Sequence, residues 1–512
     1  MELLGADVST SWFLAITAIV LAYIYSTWTY DHFKKVDVPG PTPWPLIGNL
    51  FALWRKGFLR FQCDLHREYG PVFGMFEGRK PVLYIKDTQM LKEIMVKEFA
   101  SFTNRRSVVL DNPMQNSLFA LRDDAWRRVR SQMTPAFSSG KLKQMTEAIN
   151  DCSDTMVTYM AERSHKPVVD IKTVMTAFTM DVICRTVFGI QVDSQRNPDD
   201  PFVKHAKNIF NVKLIMALVA TAFPKLMEFL QHTFGVTMVS KETLNFFSHV
   251  IDDNIDHRRQ TGMTRVDMMQ LMIKANEIEP DKHDIDEDNV IGFKYDAGGK
   301  GKKGMSKPEL MANSVVFFLA GSETTASTLS YLLYSLATNP DIHERLTKEV
   351  DDVVGNQTSI TPNMLADLEY LDRVIQEVLR MYPIVTRVDR LCSKDVEIKG
   401  VKIKKGTLMT ISIYAVHHDA HNWPNPEKFD PERFLPEAEG RRDPLTWIPF
   451  GFGPRNCIGM RLALMELKIA AVKLLQNFTF QTCEQTQVSL MFKKTTLLHT
   501  TQPITLRVER RK

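Results

Sequence analysis

Cysteine is scarce in this chain. The 512 residues hold six, Cys63, Cys152, Cys184, Cys392, Cys457 and Cys483, and no two form a C-x-x-C pair. That scatter argues against a zinc ribbon or a disulfide framework and favours a reducing compartment for the bulk of the chain. Charge of one sign is also lacking. The formal net charge is +4 and no long basic block is present, which removes the usual electrostatic footprint of a nucleic-acid binder. No internal repeat is found, and no glycine fingerprint for a nicotinamide or flavin nucleotide, so electrons for any redox step must come from a partner. Apolar residues, at 44%, are ample for one large core.

From Val8 to Tyr30 no residue is charged. As a helix this stretch would extend roughly 34 Å, enough for a hydrocarbon core of about 30 Å. Trp12, Tyr25, Trp28 and Tyr30 stand near its ends, where aromatic rings favour the interface. Glu2 and Asp7 precede it and Lys34 and Lys35 follow, an asymmetry that places the following chain on the cytosolic side. A cleaved signal peptide is the rival reading, but neither a basic leader nor a small-residue cleavage site is evident. Residues 1–30 are therefore expected to be a single transmembrane anchor. Residues 31–50 read as a basic, proline-rich hinge, because the closely spaced Pro39, Pro41, Pro43 and Pro45 cannot continue a helix.

Residues 51–512 read as one mainly α body with small β-sheets. Strand-like runs occur at Val72–Phe76 and Pro81–Ile85, and helical patterns from Thr88 to Asn254. Long helices are expected at Ser306–Thr338, Asp341–Val354 and Leu368–Met381, and a β-rich stretch at about Val396–Ile413. The charged, glycine-rich Asp281–Lys303 reads as a solvated loop.

Three patterns carry chemistry. The first is Phe450-Gly-Phe-Gly-Pro-Arg-Asn-Cys-Ile-Gly459, a glycine-punctuated loop ending in a thiol. An amphipathic helix follows, with Leu462, Met465, Ile469 and Val472 on one face. Free amides at its N-terminus would favour a thiolate at Cys457. Gly451 and Gly453 allow tight turns, and Gly459 leaves room for a flat group. A thiolate in such a loop suits an axial haem ligand; the bland alternative is a structural buried cysteine. The second is Ala320-Gly-Ser-Glu-Thr-Thr325, set in a helix whose capping-box start is Ser306-Lys-Pro-Glu309. Val315–Leu319 is apolar on every side, so an acid and two threonines immediately after it break the local rule where function is expected. Gly321 would remove bulk beside Ala320 and Thr324; a kinked core helix is the alternative. The third is Glu377 and Arg380, three apart and able to pair.

The Cys457 stretch closely resembles the haem-binding loop of cytochromes P450, and Ala320–Thr324 resembles their oxygen-activation motif, A-G-x-[DE]-T. Phrases such as Phe102-Thr-Asn-Arg-Arg106 and Leu474-Leu-Gln-Asn-Phe478 are most similar to the microsomal family-3 members, which oxidise drugs and steroids. The resemblance implies a cytochrome P450 fold and heme b (iron-protoporphyrin IX) ligated by Cys457. It implies that Arg105, Trp126, Arg130, Arg390 and Arg455 meet the haem propionates, with Phe450 also at the cofactor. It assigns oxygen activation to Thr324, a proton relay to Glu323, and a structural trio to Glu377, Arg380 and Arg433. The implied activity is hydroxylation of lipophilic small molecules (steroids, fatty acids or xenobiotics) with O2. Electrons would come from NADPH–cytochrome P450 reductase, with cytochrome b5 as an optional second donor, so NADPH and flavins act only through the partner. The implied location is the endoplasmic reticulum membrane, catalytic body on the cytosolic face.

The sequence departs from vertebrate family-3 members around Ile209–Met238 and at Leu319, where an aromatic is usual. Ile209–Met238 could lie in the membrane interface or form a core helix. Two other functions remain on the table. A P450-fold isomerase would rearrange a peroxide without reductase, but such enzymes tend to lack the acid–threonine pair. A haem-binding sensor would have no use for a proton relay.

Overall fold

The computed structural model describes residues 3–511 except 109, 111, 167, 198, 210–215, 217–218, 221–222, 238, 263–266, 278–304 and 441. The expected loop at Asp281–Lys303 lies outside the described residues. The chain forms two compact units, each discontinuous in sequence. One comprises Met1–Arg106, Arg387–Val416 and Lys494–Thr496; the other comprises Ser107–Thr386, His417–Lys493 and Leu497–Lys512.

The strands are β1 (Val72–Glu77), β2 (Lys80–Ile85), β3 (Val169–Asp170), β4 (Val388–Leu391), β5 (Val396–Ile398), β6 (Val401–Ile403), β7 (Leu408–Ile411), β8 (Phe478–Gln481) and β9 (Thr505–Arg510). In the smaller unit the order β1-β2-β7-β4 makes one sheet, and β5-β6 a hairpin. β2 pairs parallel to β7, with Val82 opposite Leu408, and β4 closes the far edge antiparallel. The sequence reading missed β4. Its Asp389 and Arg390 break the apolar alternation, yet Asp389 is satisfied inside the unit by Arg106 at 2.7 Å and Thr410 at 2.8 Å.

The same unit begins with helix α1 (Leu3–Thr27) and carries α2 (Leu50–Lys56). Among the described residues no helix is long and apolar enough to cross a membrane. Side chains of α1 are described only from Ser11, so the apolar stretch on view is shorter than Val8–Tyr30. Trp12, Phe13, Leu14, Ile19 and Leu21 of α1 are all exposed. The proline segment is fastened down. Phe33 is buried with its ring 5.3 Å from Phe76, and the Gly74 amide donates to Pro39 O at 2.8 Å.

The larger unit is mainly helical. The helices that matter below are α3 (Asp123–Met133), α4 (Ser139–Arg163), α5 (Ile171–Ile183), α6 (Pro224–Phe234), α7 (Lys307–Thr338), α8 (Pro340–Val353), α9 (Glu369–Met381) and α10 (Met460–Asn477). β3, β9 and β8 form a three-stranded sheet. α7 packs on α5, and α10 on α4. The capping box of α7 is formed: Ser306 Oγ accepts from the Glu309 amide at 3.4 Å, and Glu309 Oε2 from the Ser306 amide at 2.8 Å. Burial along α7 differs from the sequence expectation. Thr325–Ala337 is wholly buried, whereas Val316, Phe317 and Leu319 are only half-buried and Ala320 is exposed. An alanine exposed midway along a core helix marks an open space beside it. Of the Ile209–Met238 segment, residues 210–215, 217–218, 221–222 and 238 lie outside the described residues; on α6 Leu226, Phe229 and Phe234 are exposed while Met227 is buried, so α6 lies at the surface.

Candidate functional site

Gly451 and Gly453 adopt φ of 72° and 73°, the left-handed region that side-chain-bearing residues avoid. Those two turns fold the loop back on itself. The Cys457 amide donates to Phe450 O at 2.8 Å and the Asn456 amide to Gly453 O at 3.0 Å. The backbone is thus spent internally while the thiol is left accessible: no two of the six cysteines form a disulfide, and Cys457 alone of them is exposed. α10 starts three residues later, with Leu462, Ile469 and Val472 buried as expected and Met465 half-buried. A Cβ on Gly459 would meet only the Phe137 ring edge at 3.7 Å, so the approach to the thiol is open on that side.

The loop is braced from α9. His417 is fully buried; its Nε2 accepts from the Ile448 amide at 2.8 Å and its Nδ1 faces Arg380 O at 3.2 Å. Burial pushes this imidazole well below its ordinary range, so it is neutral, and the accepting Nε2 places the proton on Nδ1. Trp447 Nε1 adds a bond to Gln376 O at 3.1 Å. Behind these contacts lies the Glu377–Arg380 pair, both side chains at 0% exposure. The guanidinium fork meets the carboxylate at 2.7 and 2.9 Å and also donates to His417 O and Pro426 O. Arg433 Nε approaches Glu377 Oε1 at 3.4 Å, completing the expected trio.

Trp126, Arg130 and Arg455 gather at the same loop. Arg455 is buried with its guanidinium 4.6 Å above the Trp126 ring, and its Nη2 donates to Leu121 O at 2.6 Å. Arg130 from α3 donates to Asn456 O and Oδ1, both at 3.0 Å, so it holds the residue next to Cys457. Asn456 was not singled out from sequence.

Arg105 and Arg390 belong to the smaller unit. Arg390 is buried and its Nε has no hydrogen-bond partner among the described residues. Burial, then the neighbouring Arg105 charge, pull it down from its usual value to about 9. The Asp389 charge acts in the opposite direction, and Arg390 Nη1 donates to Asp389 O at 3.0 Å.

On α7, Thr324 Oγ1 donates back to Ala320 O at 2.7 Å, leaving its lone pairs available. Gly321 serves another purpose than the one expected. A Cβ there would stand 2.4 Å from Ile183 Cδ1, so the glycine admits α5 rather than a flat cofactor. Glu323 lies in a cluster invisible to local motifs: Lys172 Nζ is 2.7 Å and His499 Nε2 3.0 Å from its Oε1. Burial alone would raise this carboxyl, but His499 and the Lys172 charge outweigh it and hold it at about 2. Lys172 had a weak sequence signal, as the only basic residue in apolar α5; His499 had none.

An exposed thiol in a closed loop with a tryptophan–arginine stack beside it fits a flat, carboxylate-bearing haem. Comparison with known proteins agrees. Residues 38–508 match the family model described as Cytochrome P450. The chain is 40% identical to cytochrome P450 3A41 of Mus musculus and 40% identical to cytochrome P450 3A2 of Rattus norvegicus. It is 38% identical to cytochrome P450 3A29 of Sus scrofa; in all three, 99% of this chain and 98% of the relative are covered.

Proposed function

As a member of the cytochrome P450 family this chain is a haem-dependent monooxygenase, and we propose that it hydroxylates lipophilic small molecules, steroids, fatty acids or xenobiotics, with Cys457 as the residue that would hold the haem iron. The observation that carries the assignment is the one exposed thiol in an otherwise self-bonded loop. Haem, when bound, supplies dioxygen activation, one oxygen atom entering the substrate and the other leaving as water. Cys457 would hold the iron, and Phe450, whose carbonyl fixes the Cys457 amide, would stand at the cofactor beside it. Arg105, Trp126, Arg130, Arg390 and Arg455 bind the cofactor carboxylates, for which a guanidinium fork is suited. Thr324, whose Oγ1 donates to Ala320 O, would offer its lone pairs to the oxygen chemistry of the bound haem, and Glu323 would pass protons to it. Residues 51–512 form the haem-thiolate catalytic domain.

Electrons reach the haem from a redox partner; NADPH–cytochrome P450 reductase is the partner proposed, with cytochrome b5 as an optional second donor. The test of the proton pair is Thr324→Ala. Haem and substrate binding and NADPH consumption are expected to persist. Product formed per NADPH should fall by about 10²-fold, the low end of what a positioned proton-transfer group contributes, with the difference emerging as hydrogen peroxide or water. Wild-type coupling in both Thr324→Ala and Glu323→Gln would remove the relay. Turnover of a peroxide without reductase or oxygen would install the isomerase reading instead.

We also place the protein on the endoplasmic reticulum membrane through α1, the catalytic domain facing the cytosol, with the exposed apolar side chains of α6 as a second contact. Supporting this are the exposed aromatic and aliphatic residues of α1, an arrangement that costs free energy in water. Deleting residues through Thr29 should weaken membrane attachment while leaving haem binding intact, measured by sedimentation with vesicles and by the haem spectrum. A truncated protein that stays fully soluble in low salt would remove the α6 contact; one that binds as tightly as the full chain would remove the role of α1.

A further inference from the structure

Three donors converge on one oxygen of Glu323. Lys172 Nζ lies 2.7 Å, His499 Nε2 3.0 Å and Ser327 Oγ 3.3 Å from Oε1, and Lys172 also donates to Ser327 Oγ at 2.6 Å. The His499 approach is off the ideal N–H···O line, so the contact is a close approach rather than a well-aligned hydrogen bond. The imidazole spans two environments: Nε2 is sealed from solvent, yet the side chain as a whole is 28% exposed, so the rest of the ring carries the exposure.

The placement of His499 is built into the fold. Its carbonyl accepts from the Lys493 amide at 2.7 Å, and Phe492 bridges Thr500. Tyr331 OH, two turns beyond Glu323 on α7, donates to Leu498 O at 2.6 Å. The helix that bears Glu323 therefore also clamps the segment that brings His499 to it.

We propose that His499 is a positioning residue for the monooxygenase reaction: together with Lys172 it holds Glu323 at Oε1, in the orientation from which the acid serves Thr324. The proposal rests on the Glu323–Thr324 reading above and extends it outward. Lys172 reaches Oε1 from α5 and His499 reaches it from the C-terminal segment, so the two fix the carboxylate from separate elements; without His499 the carboxyl is held from α5 and α7 alone. The charged groups around the pair are Lys172 of α5, Asp170 at the α5 N-cap, which acts through Lys172, and Lys493 of the paired C-terminal segment. Ser327 and Tyr331 of α7 are neutral neighbours.

The test compares His499→Gln, His499→Phe and Glu323→Gln in the full-length holoenzyme with its reductase. Glutamine retains a donor, whereas phenylalanine has none. For His499→Phe we expect an unchanged substrate-induced spin shift and product per NADPH lowered roughly tenfold, less than the roughly 10²-fold or more of losing a proton-transfer group outright. His499→Gln should recover part of that coupling. A readout independent of turnover is diethyl pyrocarbonate labelling of His499, followed by peptide mass spectrometry. The Glu323 contact slows it, so Glu323→Gln should accelerate labelling at His499. If Glu323→Gln uncouples turnover but His499→Phe keeps wild-type coupling, the His499 role is overturned and the Glu323 role stands. If Glu323→Gln is also fully coupled, both fall.

Discussion

Cys457→Ala abolishes the thiolate signature of the reduced carbon monoxide spectrum and drops monooxygenase turnover to background. The expectation is of complete rather than graded loss, because no other cysteine is exposed: Cys152, Cys184 and Cys392 are buried and Cys63 and Cys483 only half-exposed. The loop itself should survive. Its turns depend on Gly451 and Gly453 and its closing bond on the Cys457 backbone amide, none of which the substitution alters. Little buried area is lost with an exposed thiol, so the stability of the haem-free protein should change by less than about 0.5 kcal/mol, as for surface substitutions generally. Cys457→His offers a nitrogen ligand at the same place and should give a shifted spectrum. A wild-type carbon monoxide spectrum in Cys457→Ala would end the haem-thiolate assignment.

Glu377→Ala should destabilise the protein by about 3–5 kcal/mol, the cost of stranding a buried guanidinium without its counter-charge. Arg380 is fully buried and its fork is divided between Glu377 and the carbonyls of His417 and Pro426. Removing the carboxylate leaves the charge, and it also frees the Asp430 amide that Glu377 Oε1 accepts at 2.9 Å. Because α9 braces the Cys457 loop through His417 and Trp447, haem retention should fall along with stability. Glu377→Gln, which keeps the shape and an acceptor, should recover part of both. Urea midpoints and haem content of the two variants check this. An unaltered midpoint in Glu377→Ala would mean that the trio is dispensable.

What could be read from the sequence was what depends on neighbours in the chain. The Cys457 loop was legible because its requirement, glycine at two left-handed positions ahead of a thiol and a helix, is local. The start of α7 was legible for the same reason, since a capping box is complete within four residues. Contacts made across the fold were not. Arg130 was expected at a carboxylate and also proves to hold Asn456; Gly321 looked like room for a cofactor and instead admits Ile183. β4 was hidden by charges that only distant partners satisfy. Glu323 could be named as the acid, but nothing in its own helix announced Lys172 or His499.

The parallel pairing of β2 with β7 sets a clock on synthesis. Val82 has its partner in Leu408, and β4 enters the sheet only through β7. Translation at about 5–20 residues per second needs on the order of 20–60 s to cover that interval. Until then the β1–β2 hairpin waits with one edge unpaired, the kind of surface that recruits the wrong strand. Completion of the smaller unit is therefore paced by the ribosome, long after α1 has emerged, and its chief hazard is the wait.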